Sequence, residues 1–576
     1  MEASSLQVMN PAEACLPPEL AEAVARITRD DPRYQLTRTV IRGQEMRVFA
    51  NAPRSVGLLF DEAARRFADR DALVYDRDRW TYGALRRDVA RLANAMTGPL
   101  GLRRGERVGI AMRNYPEFPI LFLAAAAAGL VAVPLNAWWS REELTHAIGE
   151  CGIRAVFADG PRADRLLGHT TTGGLRLIGV RDTDLGESYA ALRDAAPEDW
   201  PQIDVDPEDD LAIMFSSGST SFPKGVIQTH RNAISAIWSW MMGREMAAQT
   251  ATPPAQPLSW LVPSPLFHVT ALYANLIQGF ACGAKISLMY KWDTDDAIRL
   301  IRDEHVTRVT GVPTQTADLA EAVAAQGLRF DHLDSIGGGG ANRPAAQLRR
   351  LVEVFAGATP GNGWGMTETA AAGMTFYGPD YVAHPDSVGR LTPPLLDMRV
   401  IDDDGHPLPP GQVGELQIRG ATVMRGYLNQ PEETARSLRD GWLSTGDLVR
   451  VDETGRVYIV DRKKCIVLRG GENISCLEVE NALHDHAHIA EACVFSVPDD
   501  RLGETVGAAI HAPSAAGRLG VEAITAFLRP RLAAFKMPER IWLLAGPLPR
   551  GATDKIDRTA IRAACLARGP DLIAGQ

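Results

Sequence analysis

A hydroxyl-rich segment near the middle of the chain combines groups that bind phosphate. Residues 210–225, DLAIMFSSGSTSFPKG, pass from an apolar, strand-like run into hydroxyls and glycine and end in a lysine. Backbone N–H groups, hydroxyls and one ammonium together form an anion cradle. A Walker A loop is excluded, because Pro223 precedes Lys224 where that motif requires glycine. A flexible Ser/Gly linker is the alternative, although linkers seldom follow a buried-type strand directly or end in Pro-Lys-Gly.

Five further motifs follow along the chain. They are WGMTET at 364–369, GWLSTGD at 441–447, DRKK at 461–464, GGENIS at 470–475 and PRGATDKIDR at 549–558. Together with FSSGSTSFPKG they resemble, in type and in order, the motifs of the adenylate-forming superfamily, which comprises acyl-CoA synthetases, firefly-type luciferases and adenylation domains. The resemblance spans about residues 55–560. It implies that a carboxylate attacks the α-phosphorus of ATP and expels pyrophosphate.

The resemblance assigns many of these residues to the nucleotide. Because negative charge moves onto the outgoing phosphates, cations and N–H donors must surround them. Trp364, beside Gly365 and Met366, would present a flat apolar face to adenine. Asp447 would accept hydrogen bonds from the ribose hydroxyls. The remaining assignments are Ser216, Ser217, Gly218, Ser219, Thr220 and Lys224 to the β- and γ-phosphates, Thr367 to the α-phosphate, Glu368 to Mg²⁺ and Arg462 to the ribose.

Two lysines would control the reaction if the resemblance holds. Lys555 is the implied catalytic cation, between the incoming carboxylate and the α-phosphate, where an ammonium stabilises charge in the transition state. Lys464 is the implied hinge residue. The small domain would first present Lys555 and then rotate to present Gly470, Gly471 and Glu472 for attack by the coenzyme A thiol. Without the motifs, both lysines would be interpreted as solvated surface residues.

The segment PSPLFHVTAL around His268 indicates the class of acid. His268 matches a position where many acyl and aryl ligases place histidine beside the carboxylate. Amino-acid-activating relatives usually have an aspartate close by, and none stands between residues 263 and 272. No basic or acidic residue is evident in the segments expected to line the pocket, so we expect an apolar acid. These segments contribute Val269, Gly311, Val312 and the run 337–341. Within this run, Gly339, Gly340 and Ala341 are also assigned to cofactor binding.

Four residues depart from the motif pattern of the superfamily. Ser221 stands where the phosphate loop commonly has glycine, Cys465 where an acid is frequent, and Cys476 where proline is common. Asp554 precedes Lys555 where glycine is usual. A carboxylate beside the catalytic ammonium could compete with the substrate for it. None of the four removes a group that the chemistry requires.

The elements that must position these motifs alternate between strands and helices. Strand-type runs occur at 107–112, 130–133, 155–158, 259–262, 285–290 and 308–312, and helical segments at 82–96 and 142–151. This alternation predicts a parallel sheet covered on both faces. Short strands at 397–401, 414–419 and 457–460, separated by Gly, Pro and Asp turns, indicate a small antiparallel subdomain.

The predicted fold class is therefore α/β. A large N-terminal adenylate-forming domain, with α/β sheets and a small β subdomain, is followed by a smaller, mobile α+β domain. We expect an N-terminal extension at 1–50, a large ATP- and acyl-binding domain at 51–461, a hinge at 462–464 and a small domain at 465–576. The small domain carries Lys555 and the loop expected to face coenzyme A.

Composition excludes several other classes of protein. Among 576 residues, 45% hydrophobic and 23% charged residues are typical of a globular chain. The 61 basic and 71 acidic residues give a net charge of −10, which disfavours a nucleic-acid footprint. Seven scattered cysteines and the absence of a secretory signal predict a cytoplasmic protein. The uncharged run 118–140 is interrupted by Pro119, Gly129 and Pro134, which indicates a buried helix and strand instead of a membrane span.

The leading hypothesis is an ATP- and Mg²⁺-dependent acyl-CoA ligase. Its substrates would be coenzyme A and a small-molecule acid, with a medium- or long-chain fatty acid favoured over an aryl or alicyclic acid. A luciferase-like or carrier-loading adenylating enzyme would share every nucleotide motif. A non-catalytic nucleotide-binding protein is disfavoured, because Lys224, Thr367, Glu368, Asp447, Arg462 and Lys555 are all present. Peripheral membrane contact and oligomeric state stay open.

Overall fold

The computed structural model describes residues 16–168, 174–216, 223–248, 257–469, 472–513, 519–551, 555–570 and 572–573, with the backbone alone described at Lys464 and at 572–573. Within these ranges the strands form five sheets, and helices cover the two largest. The predicted α/β fold is confirmed. The predicted strand 259–262 has the same bounds in the structure, and the predicted helix 82–96 extends by one residue to Thr97.

An eight-stranded sheet contains the first large run of βα units. Its centre is parallel, and the strand that leads into the hydroxyl-rich segment joins this centre beside Val131–Pro134. In spatial order the strands are Gly426–Tyr427, Lys224–Thr229, Asp210–Ser216, Val131–Pro134, Arg107–Ala111, Ala155–Asp159, Arg176–Val180 and Glu187–Ser188.

A nine-stranded sheet carries most of the remaining motifs. Its centre is also parallel, and antiparallel strands close both edges. In spatial order the strands are Arg390–Leu391, Gly373–Tyr377, Thr359–Gly365, Ser335–Gly339, Arg308–Gly311, Ser259–Val262, Lys285–Leu288, Asp71–Tyr75 and Asp78–Thr81.

Three smaller sheets complete the strand inventory. The hairpin Leu36–Ile41 and Gln44–Phe49 is two-stranded. The predicted antiparallel subdomain consists of Leu396–Ile401, Val413–Gly420, Trp442–Val451, Leu438–Arg439 and Val457–Arg462. The last sheet is formed only by residues after 465, namely Glu472–Ser475, Ile466–Arg469, Gly503–His511, Arg540–Leu544, Leu572–Ile573 and Glu491–Asp499.

The helices connect these strands and cover the sheets. One of them, Arg141–Cys151, begins with a capping box of Ser140 and Glu143 and ends at Gly152, whose φ is 59°. The α-helices are Pro18–Asp30, Val56–Arg66, Tyr82–Thr97, Glu117–Ala127, Arg141–Cys151, Gly160–Leu166, Tyr189–Ala195, His230–Ala248, Gln278–Ala281, Thr294–Asp303, Pro313–Ala325, Ala345–Val354, Gly378–Ala383, Pro431–Ser437, Cys476–His484, Val521–Leu528 and Arg558–Arg568. Thr270–Ile277 is a π-helix, and Pro32–Tyr34, Thr367–Thr369, Lys463–Cys465 and Ala534–Lys536 are 3₁₀ turns.

The uncharged run 118–140 is buried from Phe118 to Leu135. Its first part forms the helix Glu117–Ala127, which is buried at every position after Glu117 and packs on the helices Tyr82–Thr97 and Val56–Arg66. The contact with the second helix is close, since a Cβ at Gly57 would lie 2.8 Å from the Ala127 Cα atom. Across the described residues, none of the helices combines the length and apolar character needed to cross a membrane.

Residues 16–50 pack on the region that follows them. The Trp238 indole N–H donates to the Arg33 carbonyl at 3.0 Å. The Arg47 guanidinium forms an ion pair with Asp397 at 2.6 Å, and this links the N-terminal hairpin to the antiparallel subdomain. Most of the segment that the sequence left without an interpretation is therefore attached to the large sheets and the subdomain.

Candidate active site

Lys555 extends from the C-terminal region to the glycine run of the nine-stranded sheet. A Cβ atom at Gly340 would lie 3.1 Å from the Lys555 Nζ atom, and Gly340 has a φ of 80°. Close approach and left-handed backbone therefore both require glycine here. Burial, together with the nearby Arg462 cation, lowers the pKa of Lys555 to about 8. The structure thus brings together the C-terminal lysine motif, the hinge motif and the glycine run.

His268 lies in the same region as Lys555. Burial and, to a lesser extent, the Lys555 charge lower the pKa of His268 to about 3, so the imidazole is neutral near pH 7. Its Nε2 atom has no hydrogen-bond partner among the described residues. A neutral imidazole can offer one hydrogen bond to a carboxylate without neutralising it. His268 immediately precedes Val269 and the π-helix Thr270–Ile277, a rare element that is frequent at functional sites.

Asn114 holds the loop that carries His268. Its Nδ2 donates to the Ser264 carbonyl at 2.9 Å, and its Oδ1 accepts from the Leu266 N–H at 2.9 Å. Asn114 is 3% exposed, so both bonds are buried. Sequence reasoning missed this residue, because nothing in the segment NYPEF identifies a partner 150 residues away.

Thr367 and Glu368 lie in the short turn Thr367–Thr369 between two strands. The Tyr427 hydroxyl donates to Glu368 Oε1 at 3.0 Å. The Gln228 side-chain amide donates to the Thr367 carbonyl at 2.5 Å. Both contacts come from the eight-stranded sheet, so they connect the Thr-Glu turn to the strands around the hydroxyl-rich segment. The sequence carried no signal for Tyr427 or Gln228.

The backbone after this turn adopts an uncommon conformation. Ala370 and Ala371 have φ values of 54° and 62° and follow the turn directly. Left-handed backbone at consecutive non-glycine residues is uncommon and costs free energy. Such conformations concentrate at functional sites, where surrounding packing maintains them.

Asp447 links two of the predicted nucleotide residues. Its Oδ2 accepts from the Trp364 indole N–H at 3.1 Å, and its Oδ1 accepts from Arg462 Nε at 2.9 Å. Burial raises the pKa of Asp447, and the Arg462 cation opposes that rise. Asp447 and Arg462 are also register partners on adjacent strands. The three predicted residues therefore form one connected group.

The hydroxyl-rich segment connects two antiparallel strands. Ser216 pairs with Lys224 across this hairpin. The Lys224 ammonium lies 2.5 Å from Glu433 and 5.1 Å from the centroid of the Tyr427 ring. Two of the departures, Ser221 and Asp554, lie outside the described residues, and so does the side chain of Lys464. Six predicted site residues also lie outside them, namely Ser217, Gly218, Ser219, Thr220, Gly470 and Gly471.

The hinge motif lies between the antiparallel subdomain and the last sheet. Strand Val457–Arg462 leads directly into the turn Lys463–Cys465. Asp461 Oδ2 accepts from the Ser475 hydroxyl at 2.9 Å and from the Leu477 N–H at 3.1 Å. These bonds attach the strand before the hinge to the start of the helix Cys476–His484.

Other polar contacts surround the hinge motif. The Lys463 ammonium pairs with Glu415 at 2.9 Å, and Asn342 donates to Asn481 at 3.0 Å. Glu472 is exposed at the start of its strand. Cys476, one of the departures, is the buried first residue of its helix, a position where proline is favoured for its fixed φ and missing N–H.

The predicted acyl-side residues surround the same end of the sheet. Val269 and Val312 are buried, and Gly311 ends the strand Arg308–Gly311. Gly339 is the last residue of Ser335–Gly339, and Ala341 follows Gly340 in the exposed connection after it. Gly365 and Met366, beside Trp364, are half-buried at the start of the Thr-Glu turn.

Comparison with known proteins agrees with this arrangement. Residues 60–428 match the family model of the AMP-binding enzyme, and residues 478–555 match that of the AMP-binding enzyme C-terminal domain. The chain is 33% identical to feruloyl-CoA synthase of Amycolatopsis sp over 84% of this chain and 93% of that one. It is 30% identical to a long-chain-fatty-acid–CoA ligase of Mycobacterium tuberculosis over 84% and 93% of the two chains.

A solved structure extends the agreement to the fold. A Mycobacterium tuberculosis fatty acyl CoA synthetase superposes with a TM-score of 0.70 at 28% identity, covering 90% of this chain and 99% of that one. The resemblance inferred from the six motifs is confirmed. The chain therefore belongs to the AMP-binding enzyme family and is an AMP-forming acid–thiol ligase of the acyl-CoA synthetase type.

Proposed function

We propose that this ligase joins an apolar carboxylic acid to coenzyme A in two steps at one site. A carboxylate oxygen attacks the α-phosphorus of ATP, the P–O bond to pyrophosphate breaks, and an acyl adenylate forms. The coenzyme A sulfur then attacks the acyl carbon, the C–O bond to AMP breaks, and the thiol gives up its proton. A medium- or long-chain fatty acid is the preferred substrate class, and an aryl or alicyclic acid is the second.

The observation that carries this proposal is the position of Lys555 beside Gly340 and His268. A buried ammonium without an acidic partner is costly unless an anion arrives to pair with it. Adenylation brings two anions together, and Lys555 would reduce their repulsion and stabilise the charge that develops between them. The neutral His268 would orient the incoming carboxylate through a hydrogen bond.

The nucleotide would occupy the groups around the Thr-Glu turn. Glu368 fits Mg²⁺, because this ion is usually held by one or two carboxylates together with phosphate oxygens and water. Bound Mg²⁺ would supply positive charge that neutralises the phosphates. Tyr427 orients the Glu368 carboxylate. Thr367 would contact the α-phosphate, and Lys224 would exchange Glu433 for the outgoing phosphates.

Rotation of the small domain would allow the second step. Lys555 points into the site, so the observed arrangement suits adenylation. A swing about Lys464 would withdraw Lys555 and present the loop that contains Gly470, Gly471 and Glu472 to coenzyme A. The short 3₁₀ turn Lys463–Cys465 supports a joint that can reorient, and the rotation would break the bond from Asn342 to Asn481.

The acyl side supports an apolar acid. Val269 and Val312 lie beside the glycine run, and Thr270 and Ala274 are the half-buried positions of the otherwise buried π-helix after His268. No aspartate stands between residues 263 and 272 to receive an amino group. These features favour fatty, aryl and alicyclic acids over amino acids.

Pyrophosphate exchange across a panel of carboxylic acids tests the proposal. We expect exchange with apolar monocarboxylic acids and background rates with the standard amino acids. With coenzyme A added, AMP and a thioester should accumulate. Robust exchange with an amino acid would contradict the substrate class, and release of acyl adenylate without thioester formation would indicate that the acyl group is passed to a carrier protein.

A further inference from the structure

One face of the nine-stranded sheet has a floor made only of glycine. Gly337 and Gly339 alternate with residues of the opposite face, and they pair in register with Gly361 and Gly363 of the next strand. We call these four residues the glycine floor. Its carboxyl end adjoins Gly340, where Lys555 enters the site.

The glycine floor is most open at Gly363, which is half-buried, whereas Gly337, Gly339 and Gly361 are buried. A Cβ atom at Gly363 would meet only the Met374 carbonyl oxygen, at 3.7 Å. At Gly337 and Gly339 the nearest atoms belong to the backbone of the neighbouring strand. At Gly361, in contrast, a Cβ atom would lie 2.7 Å from the Tyr377 ring. Within the described residues, the floor is therefore most open at Gly363 and is covered by the Tyr377 ring at Gly361.

Two arginines lie at this other end. Arg308 is the register partner of Ser335, two residues before Gly337, and alternation places it on the face of the glycine floor. Its Cζ atom lies 4.5 Å from the centroid of the Trp260 ring, and the Arg244 Cζ atom lies 5.5 Å from the same centroid. Trp260 is 1% exposed, so the two guanidiniums pack on a buried aromatic side chain.

Neither guanidinium has an acidic partner within 4 Å among the described residues. The Arg308 Nε–H donates to the Thr310 hydroxyl at 3.1 Å, and within the described residues its two terminal nitrogens have no protein acceptor. Arg244 contacts the Cys282 thiol. Glu245 is engaged with Arg33 at 3.0 Å.

Other acids do not change this balance. Asp334 is exposed and interacts electrostatically with Arg244, but it forms no ion pair with Arg244 in the described part of the chain, so one acid faces two arginines. The segment 249–256, which follows the helix of Arg244 in the sequence, contains no Asp or Glu. The far end of the glycine floor is therefore a site of net positive charge.

The distance between the two ends of the glycine floor suits an extended acid. Gly339 lies four positions after Ser335, the register partner of Arg308, which corresponds to about 13 Å along the strand. Positive charge thus stands at both ends, from Lys555 at one and from Arg308 and Arg244 at the other. The strip between them is backbone and glycine.

We propose that the acyl body lies along the glycine floor and that Arg308, supported by Arg244, binds a second carboxylate at its far end. Among acids with an apolar body of equal length, the α,ω-dicarboxylic acid is then a better substrate than the monocarboxylic acid. A guanidinium holds a carboxylate through two parallel hydrogen bonds, which an alkyl terminus cannot replace. This inference rests on the proposed function, since it requires that the other carboxylate be activated beside Lys555.

Matched substrate pairs test the inference. Saturated α,ω-dicarboxylic acids and monocarboxylic acids of equal carbon number are compared by kcat/KM for coenzyme A-dependent AMP formation. For the wild-type enzyme we expect the diacid to exceed its matched monoacid at the fitting length. Arg308→Leu should lower kcat/KM for the diacid by about ten- to a hundredfold, the loss of one charge-assisted contact. The monoacid value should change little, and Arg308→Lys should restore part of the diacid value.

Two further variants separate recognition from folding. Arg299→Leu removes an exposed arginine of the helix Thr294–Asp303 and should leave both substrate series unchanged. Arg244→Gln should also lower kcat/KM for the diacid. If Arg308→Leu fails to fold, this variant tests the recognition of the second carboxylate in its place. Thermal melts establish folding for each protein.

The outcomes distinguish this inference from the function on which it rests. A wild-type preference for the monoacid at every length would overturn the inference, and so would equal loss of both series in a folded Arg308→Leu protein. In either case turnover of monoacids to thioesters would leave the proposed function standing. Absence of AMP formation with every acid of both series would instead refute the proposed function and the inference together.

Discussion

Two parts of the site differ in whether their buried charges are paired. We call Trp364, Asp447, Arg462 and Lys224 the nucleotide side, and Lys555 with His268 the Lys555 side. Asp447 is bonded to Trp364 and Arg462, and the Lys224 ammonium is paired with Glu433. Lys555 and His268, by contrast, have no acidic partner within the described residues. A paired group keeps its geometry in the free enzyme, whereas an unpaired buried cation is stabilised only when an anion binds. The group of Trp364, Asp447 and Arg462 is therefore already connected in the free enzyme. Under the proposed function, Lys224 must still leave Glu433, and the reacting anions complete the Lys555 side.

The largest expected effect comes from removing the unpaired ammonium. Lys555→Ala should lower the rate of acyl-adenylate formation by about 10²–10³, because the transition-state charge loses its stabilising cation. Thioester formation from supplied acyl adenylate and coenzyme A should persist, since the rotated domain no longer uses Lys555. Single-turnover assays of the two half-reactions measure both quantities.

A hinge variant supplies the complementary control. Lys464→Pro fixes φ within the hinge turn and should impair thioester formation more than adenylation. Both variants must first show wild-type circular dichroism. Equal loss of the two half-reactions in folded Lys555→Ala protein would contradict the alternation of domains.

The pH profile tests whether the buried ammonium is the active form. With a pKa of about 8, Lys555 is protonated and active below that pH and loses its proton above it. For adenylation, kcat/KM should therefore fall about tenfold per pH unit on the alkaline side. Lys555→Arg keeps its charge at high pH, so any residual activity should lack this limb. A profile that stays flat to pH 10 in the wild type would argue against a role for the Lys555 charge.

The Asn114→Ala variant tests whether Asn114 positions the loop that carries His268. Asn114→Ala would leave the buried Ser264 carbonyl and Leu266 N–H without their partner, at a cost of about 1–3 kcal/mol in the free energy of unfolding. Because the loop also carries His268, KM for the carboxylic acid should rise while KM for ATP changes little. Denaturant unfolding and steady-state kinetics measure the two effects. Asn51→Ala, at an exposed asparagine bonded to the Pro32 carbonyl, is the matched control.

The smallest expected effect comes from Arg462, which connects the two sides. Its side chain is 60% exposed, so Arg462→Met should cost only about 1 kcal/mol in the free energy of unfolding. The Arg462 charge lowers the pKa of Lys555, and its removal should therefore move the alkaline limb to higher pH. If the alkaline fall of kcat/KM stays at the same pH in a folded Arg462→Met protein, the Arg462 charge does not influence Lys555.

The motifs were recognisable in the sequence because each depends on neighbouring residues. Trp364 and Glu368 belong to one segment, and so do Lys463 and Lys464. The strand 259–262 and the helix from Tyr82 follow from local periodicity, which burial on a sheet or helix face imposes. The roles inferred for the individual residues stay predictions, and those on the segments 217–222 and 470–471 fall outside the described residues.

Only the tertiary structure decided which distant side chains meet. Tyr427 reaches Glu368 across 59 residues, and Glu433 reaches Lys224 across 209. The sequence indicated no charged residue in the acyl segments, yet the register of two strands places Arg308 on the face of the glycine floor. Local pattern determines which element a residue joins, because periodicity is set by backbone geometry. The partners of its side chain depend on strand order and register, which long-range packing selects.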